Sequence, residues 1–146
     1  MEFSQFRVGQ VIDCGQRTVT ETEILDFARR YDPQWFHTDP ERATAGRYHG
    51  LIASGWHTCA LAMQMAVDTV LGDSTSCGSP GLDSVKWLAP VRPDDVLVMQ
   101  ATVLELRRSS SGQYGVMKWR WDVRNAAGTI VLEVVSTSLF DITGAG

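Results

Sequence analysis

Apolar and polar positions alternate most clearly in the C-terminal half of the chain. Met117, Trp119, Trp121 and Val123 alternate with Lys118, Arg120, Asp122 and Arg124, the period of two that marks a strand with one buried and one wet face. Upstream, Asp95 to Arg107 is rich in Val, Leu and Met and predicts a long strand, closed by a turn at Ser109-Ser110-Ser111-Gly112. Downstream, Asn125-Ala126-Ala127-Gly128 turns the chain into a further strand over Thr129 to Phe140. A strand around Leu82 to Val91 is expected to end at Pro90 and Pro93.

The N-terminal half changes period. Thr20 to Tyr31 predicts a short helix: Thr20 or Thr22 caps it, Glu21 and Glu23 suit its positive end, and Ile24, Leu25, Phe27 and Ala28 form its apolar side. Pro33 disfavours helical geometry at Asp32, so Asp32 to His37 reads as a loop. Asp39 then caps a short helix with Pro40 at its first position. Ser54 is a natural N-cap for Gly55 to Asp68, which is apolar on nearly every face and must therefore be surrounded by protein. One buried helix followed by three or four long antiparallel strands predicts an α+β domain, a curved sheet wrapped around the helix, which is the hotdog fold. An open sheet of this kind leaves edges and a helix flank that a homodimer would cover.

Length and composition agree with one domain spanning residues 1–146. A chain of 146 residues buries roughly two thirds of its unfolded surface without metal or disulfide staples. Hydrophobic content of 44% and charged content of 21% are those of a soluble globular protein. The net charge of -4 argues against nucleic acid as a partner. The basic positions Arg107-Arg108, Lys118, Arg120 and Arg124 read as a solvated strand face and turn, with contact to an anionic ligand as the other reading. Cys14, Cys59 and Cys77 are odd in number and widely spaced, which fits reduced thiols in a cytoplasmic compartment. No secretory signal is evident, and the apolar stretch Gly55 to Leu71 falls short of the ~20 residues of a membrane span.

The chemistry-bearing candidates are few. His37 follows Asp32 by five positions across a proline-containing segment. A carboxylate and an imidazole brought into one cleft can orient and deprotonate a water; a surface histidine and a capping aspartate would have the same spacing. His57, in the first turns of the long helix, reads as a core histidine, and His49, beside Gly50, as structural or surface. His57 and Cys59 point to different helix faces, so no metal site is expected. The amides opening a helix at Ser54-Gly55 suit an oxygen that acquires negative charge, as in an enolate, although an ordinary cap looks the same in sequence.

The stretch Phe27-Ala28-x-x-Tyr31-Asp32-Pro33-Gln34-Trp35-Phe36-His37-Thr38-Asp39-Pro40, followed by Ile52-Ala53-Ser54-Gly55-Trp56-His57, resembles the MaoC-like dehydratases, relatives of the (R)-specific enoyl-CoA hydratases. The likeness extends over most of the chain, with its specific part at residues 24 to 63. It implies Asp32 and His37 as the catalytic pair and the Gly55 amide as the oxyanion donor. Ser54 and Gln34 would line the substrate site beside them, and the reaction would be reversible hydration of a trans-2-enoyl thioester to an (R)-3-hydroxyacyl thioester. The implied ligand is an acyl-CoA or acyl-carrier thioester, with no further cofactor. Gln34 and Trp35 stand where the hydratases carry Asn-Pro, and Ser54 replaces a histidine. With the bulk of Trp35 and Trp56, and His49 nearby, these departures imply a pocket reshaped for a different acyl group. The rival readings are a hotdog thioesterase, which often carries its carboxylate on the central helix, where this chain has none between Ser54 and Val67, and a non-catalytic acyl-thioester binding subunit.

Overall fold

A computed structural model describes residues 1–144. Five antiparallel strands form one sheet in the order β1-β3-β4-β5-β2. The strands are β1 (Val11–Thr18), β2 (Ser76–Trp87), β3 (Val96–Arg108), β4 (Tyr114–Arg124) and β5 (Ile130–Asp141). Four helices, α1 (Glu21–Tyr31), α2 (Trp35–Thr38), α3 (Pro40–Ala45) and α4 (Gly55–Ala66), lie between β1 and β2 in sequence. The last turn of α4 widens into a π-type turn over Val67–Leu71. The sheet curves around α4, so the α+β hotdog fold expected from the sequence is the fold observed.

Local chemistry explains most boundaries. The Thr20 side chain accepts a hydrogen bond from the Glu23 amide at 3.2 Å, and Arg29 and Arg30 occupy the negative end of α1. Asp39 accepts from the Arg42 amide at 3.1 Å, with Pro40 opening α3. The two hairpin turns close through Gly112 and Gly128, each with positive φ, which donate to the carbonyls of Ser109 and Asn125 at 3.0 Å. Leu97, Met99, Ala101, Met117, Trp119 and Leu132 are fully buried beneath α4. Lys118 and Arg120, alternating with them, lie on the opposite face and pair with Asp83 at 2.8 Å and Asp122 at 3.0 Å, the solvated-face reading of the basic positions.

One strand is added to those expected and three expectations change. β1 was not legible: Ile12 and Cys14 are its buried residues, and a bulge between Asp13 and Gln16, with Gly15 at φ 78°, breaks its alternation. The strand expected over Leu82 to Val91 begins at Ser76 and stops at Trp87. Its first half carries Gly78, Pro80 and Gly81, which an edge strand with irregular register tolerates. The segment from Asp32 to His37 is not all loop, since Trp35 to Thr38 form a helical turn closed by the Asp39 amide on the Trp35 carbonyl at 2.9 Å. Finally, α4 is not enclosed within the chain. His57, Thr58, Ala62, Met65 and Ala66 are buried, whereas Trp56, Met63 and Val67 on its other flank are exposed. A five-stranded sheet covers one side of a helix, and the apolar pattern recorded the need for cover rather than its source.

Candidate active site

Asp32 ends α1. Its amide bonds the Ala28 carbonyl at 2.8 Å, and Pro33 prevents another turn. The chain then re-enters helical geometry for one turn, which carries His37 back toward Asp32: His37 Nε2 lies 3.2 Å from Asp32 Oδ2. The extended segment Leu51 to Ser54 is buried throughout. It is tied to α2 by the Ile52 amide on the Phe36 carbonyl at 3.2 Å, and to the far wall by the Ala53 amide on the Val91 carbonyl at 2.8 Å.

That buried segment fixes the histidine tautomer. His37 Nδ1 is 2.7 Å from the Ile52 carbonyl, which can only accept, so Nδ1 carries the proton of the neutral ring. Nε2 then faces Asp32 and the cleft, as a donor to the carboxylate when the ring is protonated and as an acceptor when it is neutral. Asp32 is held from both sides: Ser54 Oγ donates to Oδ2 at 2.7 Å, and Gln34 Nε2 donates to Oδ1 at 2.8 Å. Partial burial works to raise the Asp32 pKa, but those two hydrogen bonds, joined by the charge of His37 when its ring is protonated, outweigh it and hold the carboxyl below its ordinary value. Asp32 is thus a carboxylate at neutral pH, beside an imidazole nitrogen able to take a proton.

Ser54 occupies the N-cap position of α4 but does not cap it. Its hydroxyl is spent on Asp32, while its carbonyl receives the His57 and Thr58 amides at 3.0 and 3.2 Å. The amides of Gly55 and Trp56 have no acceptor within the helix, and both residues line the same cleft as Asp32 and His37. A side chain on Gly55 would collide with the indole of Trp87, so this glycine permits a close approach of β2 to the helix start. Trp87 also stands edge-on to Trp56, with ring centroids 5.0 Å apart. The cleft, about 400 Å³, is completed by Phe36, Tyr48, Thr58 and Val131.

The structure thus brings Asp32, Gln34, His37, Ser54, Gly55 and Trp56 together, with Ser54 behind the carboxylate rather than in the cleft wall. It does not bring in Trp35 or His49. Trp35, two positions from His37 on a single helical turn, points away and packs on Gly46 beneath the Arg42 guanidinium, 4.6 Å from its ring centroid. His49 is exposed at a turn with φ 56°. His57 is buried and stacked on Phe27 at 4.9 Å, and desolvation lowers its pKa. No sequence signal pointed to Trp87 or Tyr48, because each joins the site only through tertiary packing. No cluster of three or more metal-ligating residues occurs among the described residues.

Comparison with known proteins turns this geometry into a family assignment. The description of the MaoC like domain matches residues 3–120. The chain belongs to the MaoC-like family. It is similar to YdeM of Bacillus subtilis, an uncharacterized protein, with 31% identity over 80% of this chain and 82% of that one. It is also 42% identical to the 3-hydroxyacyl-thioester dehydratase Z of Mycobacterium tuberculosis over 51% of this chain, a match that spans 50% of that protein. Among solved structures, the MaoC-like dehydratase from Rhodospirillum rubrum superposes with a TM-score of 0.87 at 31% identity, covering 94% of both chains. The family therefore includes hydro-lyases. Among the described residues of this MaoC-like domain, no helix is long and apolar enough to cross a membrane.

The Ser54 contact yields a prediction. Ser54→Ala removes a donor to the carboxylate, so the Asp32 pKa should rise. A group whose folded pKa is depressed loses its charge as pH falls through that value, so the acid limb of any rate profile governed by Asp32 should move to higher pH. Measuring kcat/KM against pH for both proteins checks this; superimposable acid limbs would mean that Ser54 does not tune the carboxylate.

Proposed function

We propose that the cleft adds water reversibly across the double bond of a trans-2-enoyl thioester, giving an (R)-3-hydroxyacyl thioester. The observation that carries this reading is the placing of two proton-accepting atoms, Asp32 Oδ2 and His37 Nε2, in one cleft with the unpaired Gly55 and Trp56 amides. A water over the pair offers its protons to both. Its oxygen attacks C3, the double-bond electrons move toward the carbonyl, and the developing enolate oxygen meets the two amides. The proton taken from water returns to C2 from the same side. The thioester bond stays intact, and the elements of water are all accounted for in the product.

The acyl group is carried by coenzyme A or a carrier protein, and the aromatic pair Trp56 and Trp87 narrows the cleft beside the reacting atoms. Hydration of a trans-2-enoyl-CoA followed by chiral separation of the product should give the (R) isomer. The (S) isomer would contradict the face of attack proposed here, and a racemate would contradict delivery of water from a single fixed pair.

A homodimer supplies the missing cover for α4. Strand β2 pairs with β5 on one side and has its other edge open; Leu82 and Trp87 on it, and Leu88 just after it, are exposed alongside Trp56 and Met63 of the helix. A contiguous apolar strip beside an unpaired strand edge is what two copies bury by edge pairing. Sedimentation analysis should give a dimer, and Leu82→Lys should shift the protein toward monomer; a monomeric wild type would contradict it.

A further inference from the structure

Two guanidinium groups hold Tyr48, which lines the catalytic cleft, one at its ring and one at its carbonyl. The Arg47 guanidinium lies over the Tyr48 ring, 5.3 Å from its centroid. Arg92 Nη2 donates to the Tyr48 carbonyl at 2.7 Å. Neither arginine takes part in any ion pair among the described residues. Asp95, the carboxylate bonded to Arg92, accepts from its main-chain amide at 2.9 Å and not from its guanidinium.

Local structure sets both cations beside the cleft. The turn after α3 closes on the Ala43 carbonyl, which accepts from the Gly46 and Gly50 amides at 3.1 and 3.0 Å. Gly50 lies against Arg92, where an added Cβ would stand 3.4 Å from Nη1. Arg92 follows Pro90 and Val91, which line the cleft, and is half-buried, whereas Arg47 is exposed. Ring contacts lead inward from Tyr48 to Phe36 at 5.8 Å and from Phe36 to His37 at 4.4 Å. A guanidinium has five N–H donors and forks onto phosphate oxygens. In a chain of net charge -4, two such groups left without carboxylates beside a cleft favour an anionic ligand.

We propose that Arg47 and Arg92 bind the phosphates of a coenzyme A thioester, so that coenzyme A is the carrier of the acyl group. The inference rests on the acyl-thioester reading of the cleft and extends it from the reacting end to the carrier. The pantetheine arm runs from the thioester past Tyr48, and its far end bears a diphosphate and a ribose phosphate. A carrier protein holds the same arm through a single phosphodiester, so two separate guanidinium forks suit coenzyme A better. Neither arginine touches the reacting atoms. Each binds substrate and transition state alike, so its effect falls on KM and not on kcat.

The test compares crotonyl-CoA with crotonyl-pantetheine, which has the same thioester and no phosphate. Arg47→Gln and Arg92→Gln should each raise KM for crotonyl-CoA about fivefold with kcat unchanged, an effect between those of an exposed ion pair and a charge-assisted hydrogen bond. Both variants should keep the wild-type kcat/KM for crotonyl-pantetheine. Arg108→Gln, which removes the same charge at the far end of β3, should match wild type on both substrates. A second readout does not depend on turnover: calorimetric binding of butyryl-CoA, which has no double bond to hydrate, should weaken by the same factor in the two variants, and in wild type as salt is added. An unmoved KM for crotonyl-CoA, an equal loss with crotonyl-pantetheine, or a loss confined to a crotonyl carrier-protein thioester would overturn the proposal. If butyryl-CoA binding weakens in the variants while wild type hydrates no enoyl thioester, the phosphate site stands and the hydration reading fails.

Discussion

Asp32→Asn is expected to lower kcat by roughly three to four orders of magnitude while leaving the protein folded, and His37→Ala to do the same, the scale on which positioned proton-transfer groups act. Asparagine keeps the size of the side chain and can still accept from Ser54, so the difference isolates the negative charge and the proton-accepting oxygen. His37→Ala removes the Nε2 acceptor and the ring that Ile52 orients. Because Asp32 and His37 act on one water, the double variant should be little worse than either single one. Wild-type rates in both single variants would overturn the assignment. A control separates chemistry from stability. The depressed Asp32 pKa stabilises the folded state at pH above the ordinary carboxylate value, and this stabilisation is lost as pH falls through the folded pKa. The Tm gap between wild type and Asp32→Asn should therefore narrow on acidification.

Gly55→Ala should reduce kcat by about two to three orders of magnitude, the scale on which a single oxyanion donor acts. The physical cause is specific to this fold. The added methyl would occupy the space of the Trp87 indole, so either β2 or the start of α4 must move, and the Gly55 and Trp56 amides lose their placement relative to Asp32 and His37. Relieving the collision with Trp87→Ala in the same chain should recover part of the loss if displacement is the cause. Undiminished kcat in Gly55→Ala would mean that the helix start does not hold the reacting carbonyl.

The fold was legible where periodicity was regular and illegible where chain punctuation or tertiary contact decided. β3, β4, β5 and α1 were readable because their apolar positions keep one period and their ends carry recognisable turns and caps. β1 was not, because its bulge interrupts alternation after two buried residues. The start of β2 was hidden by glycine and proline that an edge position permits. For the site, the Asp32 to His37 spacing and the Ser54-Gly55 helix start were visible. The partners that give them their chemistry were not: Ser54 reaches Asp32 across 22 positions, and Trp87 meets Gly55 from another strand. Trp35 shows the converse, a bulky residue adjacent in sequence that one helical turn directs elsewhere.

The central claim is that water is added at C3 and the thioester survives. Incubating the protein with crotonyl-CoA while following the enoyl absorbance and free thiol together tests it most directly. Loss of the enoyl absorbance with no thiol released, abolished by Asp32→Asn, is the predicted result; free thiol released in step with the loss of absorbance would contradict it.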